Sequence, residues 1–232
     1  MKTILVSGAT KGIGKAIVYQ FAKQGFNVAF CARNQTDVTN QQNDLKNKFP
    51  HIEVLAMVAD MSRKEEVGNF GKAVIDQFKS VDVLVNNAGV FLPGELLSEA
   101  EGMLEKQIET NVYSAYHLTR AIAPTMDGGH IFNVCSTASI KAYPNGGSYC
   151  ISKFALLGFS KVLREELKPK NVKVTALLPG ATLTASWDGV DLPENRFMKA
   201  DDLAETVWAC YQLSPNSVVE EIIMRPQLGD IE

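Results

Sequence analysis

The sequence predicts an α/β fold of the doubly wound type, and three observations support this prediction. Seven short apolar runs alternate along the chain with stretches of helical periodicity. These runs are continuous in Val, Ile and Leu, as in a parallel sheet whose two faces are both covered by helices. A turn rich in glycine follows the first run and precedes a helical pattern. Together they indicate one parallel sheet between two layers of helices.

The predicted elements follow one another in a regular order. The apolar runs that we interpret as strands cover residues 3–6, 27–31, 53–57, 81–85, 130–135, 172–178 and 219–224. The predicted helices cover approximately residues 12–25, 35–48, 62–79, 99–126, 148–167 and 201–213. No repeat, low-complexity tract or linker rich in proline, glycine or serine divides the chain, so we expect a single domain over residues 1–232.

A long irregular stretch, about residues 184–199, lies between the sixth strand and the last helix. Loops of this length are usually functional, which makes this stretch the candidate substrate loop. Trp187, Phe197 and Met198 within it either line a pocket or pack onto the core.

Composition and charge limit the kind of partner. The chain has 232 residues, of which 46% are hydrophobic and 21% charged, and a formal net charge of −3. This balance predicts no attraction to nucleic acid or to a membrane, so we expect a small molecule as the main partner. No apolar run reaches the ~18 residues of a membrane span, and no leader precedes the first strand, so we expect a cytoplasmic protein. The scattered cysteines and histidines predict neither a metal site nor disulfides.

The turn after the first strand reads Ser7-Gly8-Ala9-Thr10-Lys11-Gly12-Ile13-Gly14. Glycine permits a tight turn and the close approach of a ligand, while the N-terminus of the following helix offers free N–H groups to a diphosphate. The spacing differs from the Gly-x-Gly-x-x-Gly of long-chain dinucleotide enzymes and from a Walker A loop. The turn therefore indicates a phosphate-binding site, and glycines that merely punctuate the chain are the alternative.

Tyr149 and Lys153 are four residues apart at the start of a predicted helix, and Ser136 lies thirteen residues before the tyrosine. Positions i and i+4 share one face of a helix, so the ammonium stands beside the phenol and stabilises its ionised form. A phenol whose pKa falls from about 10 towards neutrality is a usable general acid and base. The alternative is a surface lysine beside a half-buried aromatic ring, which is common on amphipathic helices.

The motifs that carry chemistry fall at the carboxyl ends of the predicted strands, where a doubly wound sheet binds its ligands. In strand order they are the glycine turn, Arg33, Asp60, the run 86–89, Ser136 and the pair Pro179 and Gly180. Polar groups placed by packing alone would not select the same end of every strand. The convergence therefore favours a functional site over the structural alternatives.

With these motifs the sequence resembles the classical short-chain dehydrogenase/reductase family over essentially its whole length. The matching residues are Gly8, Gly12, Gly14, Asp60, Asn86, Asn87, Ala88, Gly89, Asn111, Ser136, Tyr149, Lys153, Pro179, Gly180 and Thr184. The resemblance implies a Rossmann fold with the strand order 3-2-1-4-5-6-7. It also implies a cofactor site formed by Gly8, Thr10, Lys11, Gly12, Ile13, Gly14, Arg33, Asn34, Asp60, Met61, Asn87, Ala88, Gly89, Tyr149, Lys153, Pro179, Gly180, Thr182 and Thr184.

The same resemblance implies a role for each of four catalytic residues. Tyr149 would be the acid and base, Lys153 would hold the nicotinamide ribose and lower the tyrosine pKa, and Ser136 would orient the substrate carbonyl. Asn111 would support a water-based proton relay, for which a structural hydrogen-bonding role is the alternative. The implied reaction moves a hydride between a nicotinamide and a carbonyl carbon and needs no metal.

The residues after the second strand predict the form of the cofactor. A carboxylate there would bind the ribose hydroxyls of NAD and repel a 2′-phosphate, but the run is Phe30-Cys31-Ala32-Arg33-Asn34. Arg33 offers a planar partner for phosphate, and Lys11 adds a second positive charge. We therefore predict NADP(H).

The end of the chain bears on the substrate. It lacks the Asp-Gly-Gly usual in 3-oxoacyl carrier-protein reductases and resembles the sepiapterin-reductase-like and general carbonyl-reducing branches, while a 3-oxoacyl carrier-protein reductase stays an alternative within the enzyme class. The loop carries Asp188, Asp191 and Glu194, which favours a neutral ketone, aldehyde or diketone over a highly anionic substrate. Two alternatives of other classes stay open. One is a silent dinucleotide-binding sensor or scaffold, although such proteins commonly lose the tyrosine or lysine. The other is a nucleotide-sugar epimerase or dehydratase, which is usually longer.

Finally, the resemblance implies a homodimer or homotetramer in which the helices near 99–126 and 148–167 pack against their copies. Five apolar residues serve either that face or the packing onto the sheet: Leu104, Ile108, Ala155, Leu156 and Phe159.

Overall fold

The computed structural model describes residues 1–184, 187, 189 and 191–231. Within them, seven parallel strands form one sheet in the order β3-β2-β1-β4-β5-β6-β7. The strands are β1 (Thr3–Ser7), β2 (Asn27–Ala32), β3 (Val54–Val58), β4 (Val83–Asn86), β5 (His130–Val134), β6 (Lys173–Pro179) and β7 (Glu221–Met224). The predicted fold class and strand order are therefore confirmed.

Helices cover both faces of the sheet. They are α1 (Gly12–Lys23), α2 (Gln35–Lys48), α3 (Lys64–Phe78), α4 (Met103–Ile108), α5 (Ser114–Ile122), α6 (Gly147–Leu167) and α7 (Ala200–Tyr211). Short 3₁₀ turns lie at Ala123–Thr125, Thr137–Ser139, Lys168–Lys170 and Glu194–Arg196. Most of these bounds differ from the predicted ones by a few residues, as expected at helix ends.

The continuous apolar character of the strands has a direct structural cause. Every residue of β1, β2, β4 and β5 is buried. Ile4 and Val6 of β1 pack in one core cluster with Phe21 of α1, whereas Leu5 packs in a second cluster with Phe70 of α3. Successive side chains of a strand point to opposite faces, so both sets must be apolar when helices cover both faces.

The helix predicted over 99–126 is not continuous, and that prediction was wrong. The helical region begins at Met103, after Gly102 in the left-handed region (φ 84°), and a π-helical turn at Glu109–Tyr113 separates α4 from α5. The turn carries Asn111, whose side chain bonds to the main chain of Val90. A π turn inserts one residue into a helix and is frequent at functional sites.

Among the described residues of the loop predicted over 184–199, a 3₁₀ turn lies at Glu194–Arg196, and Met198 forms an isolated bridge with Thr182. Positions 185, 186, 188 and 190, and with them the predicted role of Asp188, lie outside the described residues. Phe197 and Met198 are buried, and the rings of Trp187 and Phe197 are 5.1 Å apart. The N–H of Met198 donates to the carbonyl of Ala181 at 2.9 Å. Of the two interpretations of these side chains, packing onto the core therefore holds for Phe197 and Met198.

Candidate active site

The glycine turn lies against the end of β4. Gly8 adopts φ 66°, and a Cβ atom on it would lie 2.9 Å from the Cα of Ala88. Asn87 donates two side-chain hydrogen bonds to the turn, to the carbonyls of Ser7 at 3.0 Å and of Gly8 at 2.7 Å. A Cβ on Gly14 would lie only 2.4 Å from Nδ2, the side-chain nitrogen of Asn87. The turn and the strand end are thus one packed unit that tolerates no side chain at these glycines.

The N-terminus of α1 is open to a ligand. Lys11 precedes the helix in an extended conformation, and its side chain makes no capping hydrogen bond within the described part of the chain. Thr184, beyond β6, reaches this turn, because its Cγ2 lies 2.8 Å from the position of a Cβ on Gly12. Free N–H groups at a helix N-terminus, bordered by glycines, fit a diphosphate.

Two predicted cofactor residues stand at the end of β2 in different environments. Arg33 is exposed. Asn34 caps α2, since its side-chain oxygen accepts from the N–H of Asp37 at 2.9 Å. Lys11 of the glycine turn forms an exposed ion pair with Asp37 at 3.7 Å. The two predicted cations are thus displayed near the start of α2, and no carboxylate ends β2.

Asp60 and Met61 follow β3. Asp60 accepts hydrogen bonds from the N–H and the hydroxyl of Ser62 at 3.0 and 2.8 Å. Burial alone would raise the pKa of the Asp60 carboxyl, but these bonds and the charges of Arg33 and Arg63 outweigh burial and lower it. Met61 is buried in the core, with its sulfur 3.4 Å from that of Cys31. Its predicted place in the cofactor site stays a prediction.

Ser136 and Lys153 both lie at the end of β5. The hydroxyl of Ser136 accepts from the N–H of Ala138 at 3.1 Å and so caps the short turn at Thr137–Ser139. Lys153 is buried, and its ammonium donates to the carbonyl of Val134 at 2.9 Å. That nitrogen lies 5.8 Å from the centre of the Tyr149 ring. The predicted catalytic side chains are therefore brought to the same strand end.

The pKa values differ from the expectation at Tyr149. Burial raises the pKa of the phenol to about 12, although interaction with the Ser136 hydroxyl lowers it in part. Burial lowers the pKa of the Lys153 ammonium to about 8. We expected the lysine to lower the tyrosine pKa, but among the groups of this chain the desolvation of the phenolate dominates.

Gly89 joins the glycine turn to these residues. A Cβ on Gly89 would lie 3.2 Å from Oδ1 of Asn111 and 3.6 Å from Nζ of Lys153. The preceding residue, Ala88, touches Gly8. The glycine turn and the candidate catalytic residues are therefore contiguous through the residues that follow β4.

The side chain of Asn111 makes three structural hydrogen bonds. Its Oδ1 accepts from the N–H of Val90 at 2.7 Å, and its Nδ2 donates to the carbonyl of Val90 at 3.0 Å and to the hydroxyl of Ser152 at 2.9 Å. Ser152 in turn donates to the carbonyl of Tyr149 at 2.7 Å. These contacts link the π turn to α6 and support the structural alternative, while the implied water relay stays a prediction.

Three more residues of the site were missed by the sequence reasoning. Gln107 is completely buried and holds the N–H and carbonyl of Leu92, both at 3.2 Å. Phe91 packs edge-on to Tyr149 with ring centres 4.8 Å apart. Glu99 bonds to Ser148, next to the tyrosine. The four-residue spacing of Gln107 and Asn111 was a signal for Gln107, since it places both amides on one helix face.

At the end of β6, Pro179 is buried and the N–H of Gly180 bonds to the carbonyl of Met224 at 2.8 Å. The hydroxyl of Thr182 donates to the carbonyl of Gly180 at 3.1 Å. The tail of the chain borders this turn, because Oδ1 of Asp230 lies 3.5 Å from the position of a Cβ on Gly180.

Asn86 has a structural role, because its side chain bonds to side chains of two neighbouring elements. Its amide donates to the side chains of Thr119 at 2.9 Å and of Asn133 at 2.8 Å. These contacts tie β4 to β5 and to α5.

The described residues show neither a metal-binding cluster nor a disulfide nor a membrane-spanning helix. They contain no group of three or more His, Cys, Asp or Glu side chains placed to hold a metal ion. The four cysteines are buried and unpaired by disulfides. None of the described helices combines the length and apolar character needed to cross a membrane.

Comparison with known proteins assigns the class. Residues 2–194 match the short chain dehydrogenase family, so the chain belongs to that family and the resemblance read from its motifs is confirmed. Sepiapterin reductase of Chlorobaculum tepidum is 32% identical over 238 residues, covering 99% of this chain and 98% of that protein.

Solved structures agree in fold. Alcohol dehydrogenase from the archaeon Thermococcus sibiricus, complexed with 5-hydroxy-NADP, matches with a TM-score of 0.93 and 29% identity, covering 100% of this chain and 99% of that one. L-Sorbose reductase from Gluconobacter frateurii, complexed with NADPH and L-sorbose, matches with a TM-score of 0.89 and 28% identity, covering 97% and 95%.

Proposed function

We propose that this protein is an NADP(H)-dependent oxidoreductase that interconverts a carbonyl and an alcohol on a small molecule, with Tyr149 as acid and base. The observation that carries the proposal is the contiguity of the glycine turn, Gly89 and Lys153 at one edge of the sheet. A site for a dinucleotide and a proton-transfer pair are thereby adjacent.

The residues fit the cofactor. The open N-terminus of α1 and the glycines around it suit the diphosphate. Arg33 and Lys11 suit a 2′-phosphate, and the exposed ion pair of Lys11 with Asp37 is weak enough for a phosphate to replace it. Among the described residues the ammonium of Lys153 donates to the carbonyl of Val134, so two of its three donors can serve ribose hydroxyls. Relatives that hold NADP or NADPH support this assignment.

When bound, the reduced nicotinamide supplies a hydride to the carbonyl carbon. Tyr149 holds the proton that the carbonyl oxygen gains, and a pKa of about 12 keeps that proton on the phenol near neutrality. Ser136 uses its hydroxyl oxygen as an acceptor from Ala138, and in this proposal it donates its hydroxyl hydrogen to the same carbonyl oxygen once substrate is bound. One such donor to a developing oxyanion is typically worth ~3 kcal/mol.

The substrate is a neutral ketone, aldehyde or diketone in this proposal. The aromatic edge of Phe91 lies against the ring of Tyr149, which makes the surroundings of the acid apolar. Asp191 and Glu194 of the loop are exposed and negatively charged, which disfavours an anionic substrate. The similarity to sepiapterin reductase and to L-sorbose reductase is consistent with a small carbonyl compound.

We also propose a homodimer or homotetramer that uses α4 and α6. Leu104 and Ala155 are exposed, Ile108 and Phe159 are half-buried, and Leu156 is buried in the core. A cavity of about 540 Å³ beside α6 is lined by Leu96, Tyr143, Cys150, Ile151 and Phe154 among others. None of the predicted catalytic side chains lines it, so we assign this apolar surface to self-association rather than to substrate.

NADPH oxidation at 340 nm tests the proposed function, with ketones, diketones, acetoacetyl thioesters and pterins as substrates and NADH alongside. We expect turnover with NADPH on at least one neutral carbonyl, and a fall of about 10²- to 10⁴-fold in kcat for Tyr149→Phe, since that range is typical of general acid–base catalysis. Equal efficiency with NADH would contradict the cofactor assignment. Binding of NADPH without any turnover would favour a sensor, and epimerised product without net redox an epimerase.

A further inference from the structure

The segment 90–99, which we call the wall segment, follows β4 and borders the candidate acid. Phe91 is its contact with Tyr149. Side-chain amides hold its first part, since Asn111 bonds to the main chain of Val90 and Gln107 to that of Leu92. Its middle pairs with the chain before α6, where the N–H of Gly94 donates to the carbonyl of Asn145 at 3.0 Å.

The last residue of the wall segment reaches the helix that carries Tyr149. One carboxylate oxygen of Glu99 accepts a short hydrogen bond from the hydroxyl of Ser148, and the other accepts from the N–H of Ser148 at 3.4 Å. Ser148 is the second residue of α6 and is completely buried. Gly146, the residue before the helix, has no side chain with which to cap it. A carboxylate from 49 residues away therefore supplies the N-terminal cap.

Charge and space both fit this contact. A carboxylate is favoured at a helix N-terminus, where the macrodipole is positive. A Cβ on Gly147 would lie 2.8 Å from the carboxylate of Glu99 and 2.5 Å from the carbonyl of Gly94. The wall segment is thus packed so closely onto α6 that only glycine is accommodated at the crossing.

We infer that Glu99 is a positioning residue for the proposed reaction. It joins the wall segment to the first turn of α6, and so fixes Phe91 and the phenol of Tyr149 relative to each other. The inference rests on the proposed function, because Tyr149 follows Ser148 directly and a small displacement of a reacting group costs a large factor in rate. The hydrogen bonds of Glu99 go to Ser148 and not to the glycine turn, so we expect the diphosphate part of cofactor binding to survive its removal.

Glu99→Ala is the decisive variant. We expect kcat to fall about 10- to 100-fold, in line with a displacement of about 1 Å at the acid, while the Kd for NADPH changes less than about 2-fold. Glu99→Gln keeps one oxygen for Ser148 and should recover most of the rate. Glu101→Ala is the matched control, since Glu101 is an exposed carboxylate two residues away. An unchanged kcat in Glu99→Ala, or an equal loss in Glu101→Ala, would overturn the inference.

A double-mutant cycle with Ser148→Ala separates positioning from general destabilisation. If both residues act through their mutual contact, the double variant should be no slower than the slower single variant, whereas independent effects would multiply. Hydrogen exchange of residues 90–99 and 145–150 provides a readout without turnover. Faster exchange in Glu99→Ala is expected even if the wild type reduces no carbonyl. The absence of turnover would then count against the proposed function alone. Unchanged exchange would count against the role of Glu99.

Discussion

Tyr149 is the third residue of α6, and its phenol keeps its proton near neutrality because burial raises its pKa to about 12. In the proposed reaction, reduction needs the protonated phenol and oxidation the ionised one. We therefore expect the rate of carbonyl reduction to be nearly constant between about pH 6 and 8, and the rate of alcohol oxidation to rise up to about tenfold per pH unit. Initial rates in both directions at saturating cofactor check this. Oxidation that reaches its plateau below about pH 8 would show a lowered tyrosine pKa in the working site.

The ionisation of His130 should change the free energy of unfolding with pH in a predictable direction. Its Nε2 and the hydroxyl of Thr175 are 2.7 Å apart, and Thr175 donates its own hydrogen to the carbonyl of Val219 at 2.6 Å. The Nε2 of His130 must therefore be the donor, and Nδ1 is buried without a partner in the described part of the chain. Burial lowers the pKa of His130 to about 3. The imidazole is consequently neutral in the folded protein.

Because the pKa of His130 is lower in the folded than in the unfolded state, its contribution to stability is present above pH 6.5 and is lost as the pH falls towards 3. Between about pH 6.5 and 5 the free energy of unfolding should fall by about 2 kcal/mol from this residue. Urea unfolding of the wild type and of His130→Phe at the two pH values measures it. The variant should lose that part of the pH dependence, and an identical dependence in both proteins would contradict the argument.

At the scale of elements, the turn between β1 and α1 depends on glycine for steric reasons. A Cβ on Gly14 would lie 2.4 Å from the side chain of Asn87 and 2.8 Å from the carbonyl of Gly8. Gly14→Ala must therefore displace Asn87 or the turn, and we expect it to weaken NADPH binding at least about tenfold. Titration of NADPH fluorescence measures this binding.

Gly68→Ala is the control for that prediction. Gly68 is an exposed position of α3 with no atom within 4 Å of an added Cβ. Alanine there should leave NADPH binding unchanged and raise stability by about 0.5–1 kcal/mol. Wild-type affinity in Gly14→Ala would refute the close packing of the turn.

The interruption of the helix predicted over 99–126 shows what local sequence cannot reveal. The periodicity there is helical, and α4, the π turn and α5 together satisfy it. The register shifts at the turn that carries Asn111, whose side chain bonds to Val90, 21 residues away. A contact of that range leaves no mark in the local pattern, so the break could not be predicted.

At the scale of the whole molecule, the apolar surface beside α6 predicts self-association. Phe154 is 47% exposed and Ile151 40% exposed, and both line the cavity next to this helix. Full burial of such a side chain is worth about 1.5–3 kcal/mol, of which roughly half remains to be gained here because more than half of each side chain is already buried. We expect light scattering to show a dimer or tetramer at micromolar concentration, and Phe154→Arg to shift it towards the monomer.

Leu213→Arg serves as the control for surface charge, since Leu213 is 42% exposed beyond α7 and away from this surface. It should leave the assembly unchanged. A wild-type monomer would defeat the proposed assembly, and so would equal dissociation in both variants.

The sequence by itself determined the sheet, its strand order through the family resemblance, and the residues at the strand ends. Continuous apolar runs indicate strands that are buried on both faces, and the carboxyl ends of parallel strands lie at one edge of the sheet. The strands and the residues at their ends can therefore be predicted from short stretches of sequence. The preference for NADP(H) was likewise predicted from short stretches of sequence. It depends on Lys11, on Arg33 and on the lack of a carboxylate directly after β2.

Only the tertiary structure decided which side chains support the site and how they are protonated. The supporting hydrogen bonds join residues that are 15 to 49 positions apart in the sequence. They are those of Gln107 with Leu92, of Ser152 with Asn111 and of Glu99 with Ser148. The raised pKa of Tyr149 comes mainly from the desolvation that burial causes, and the spacing of Tyr149 and Lys153 did not reveal this effect. Desolvation and long-range hydrogen bonds depend on the positions of atoms in space, and a one-dimensional pattern does not contain them.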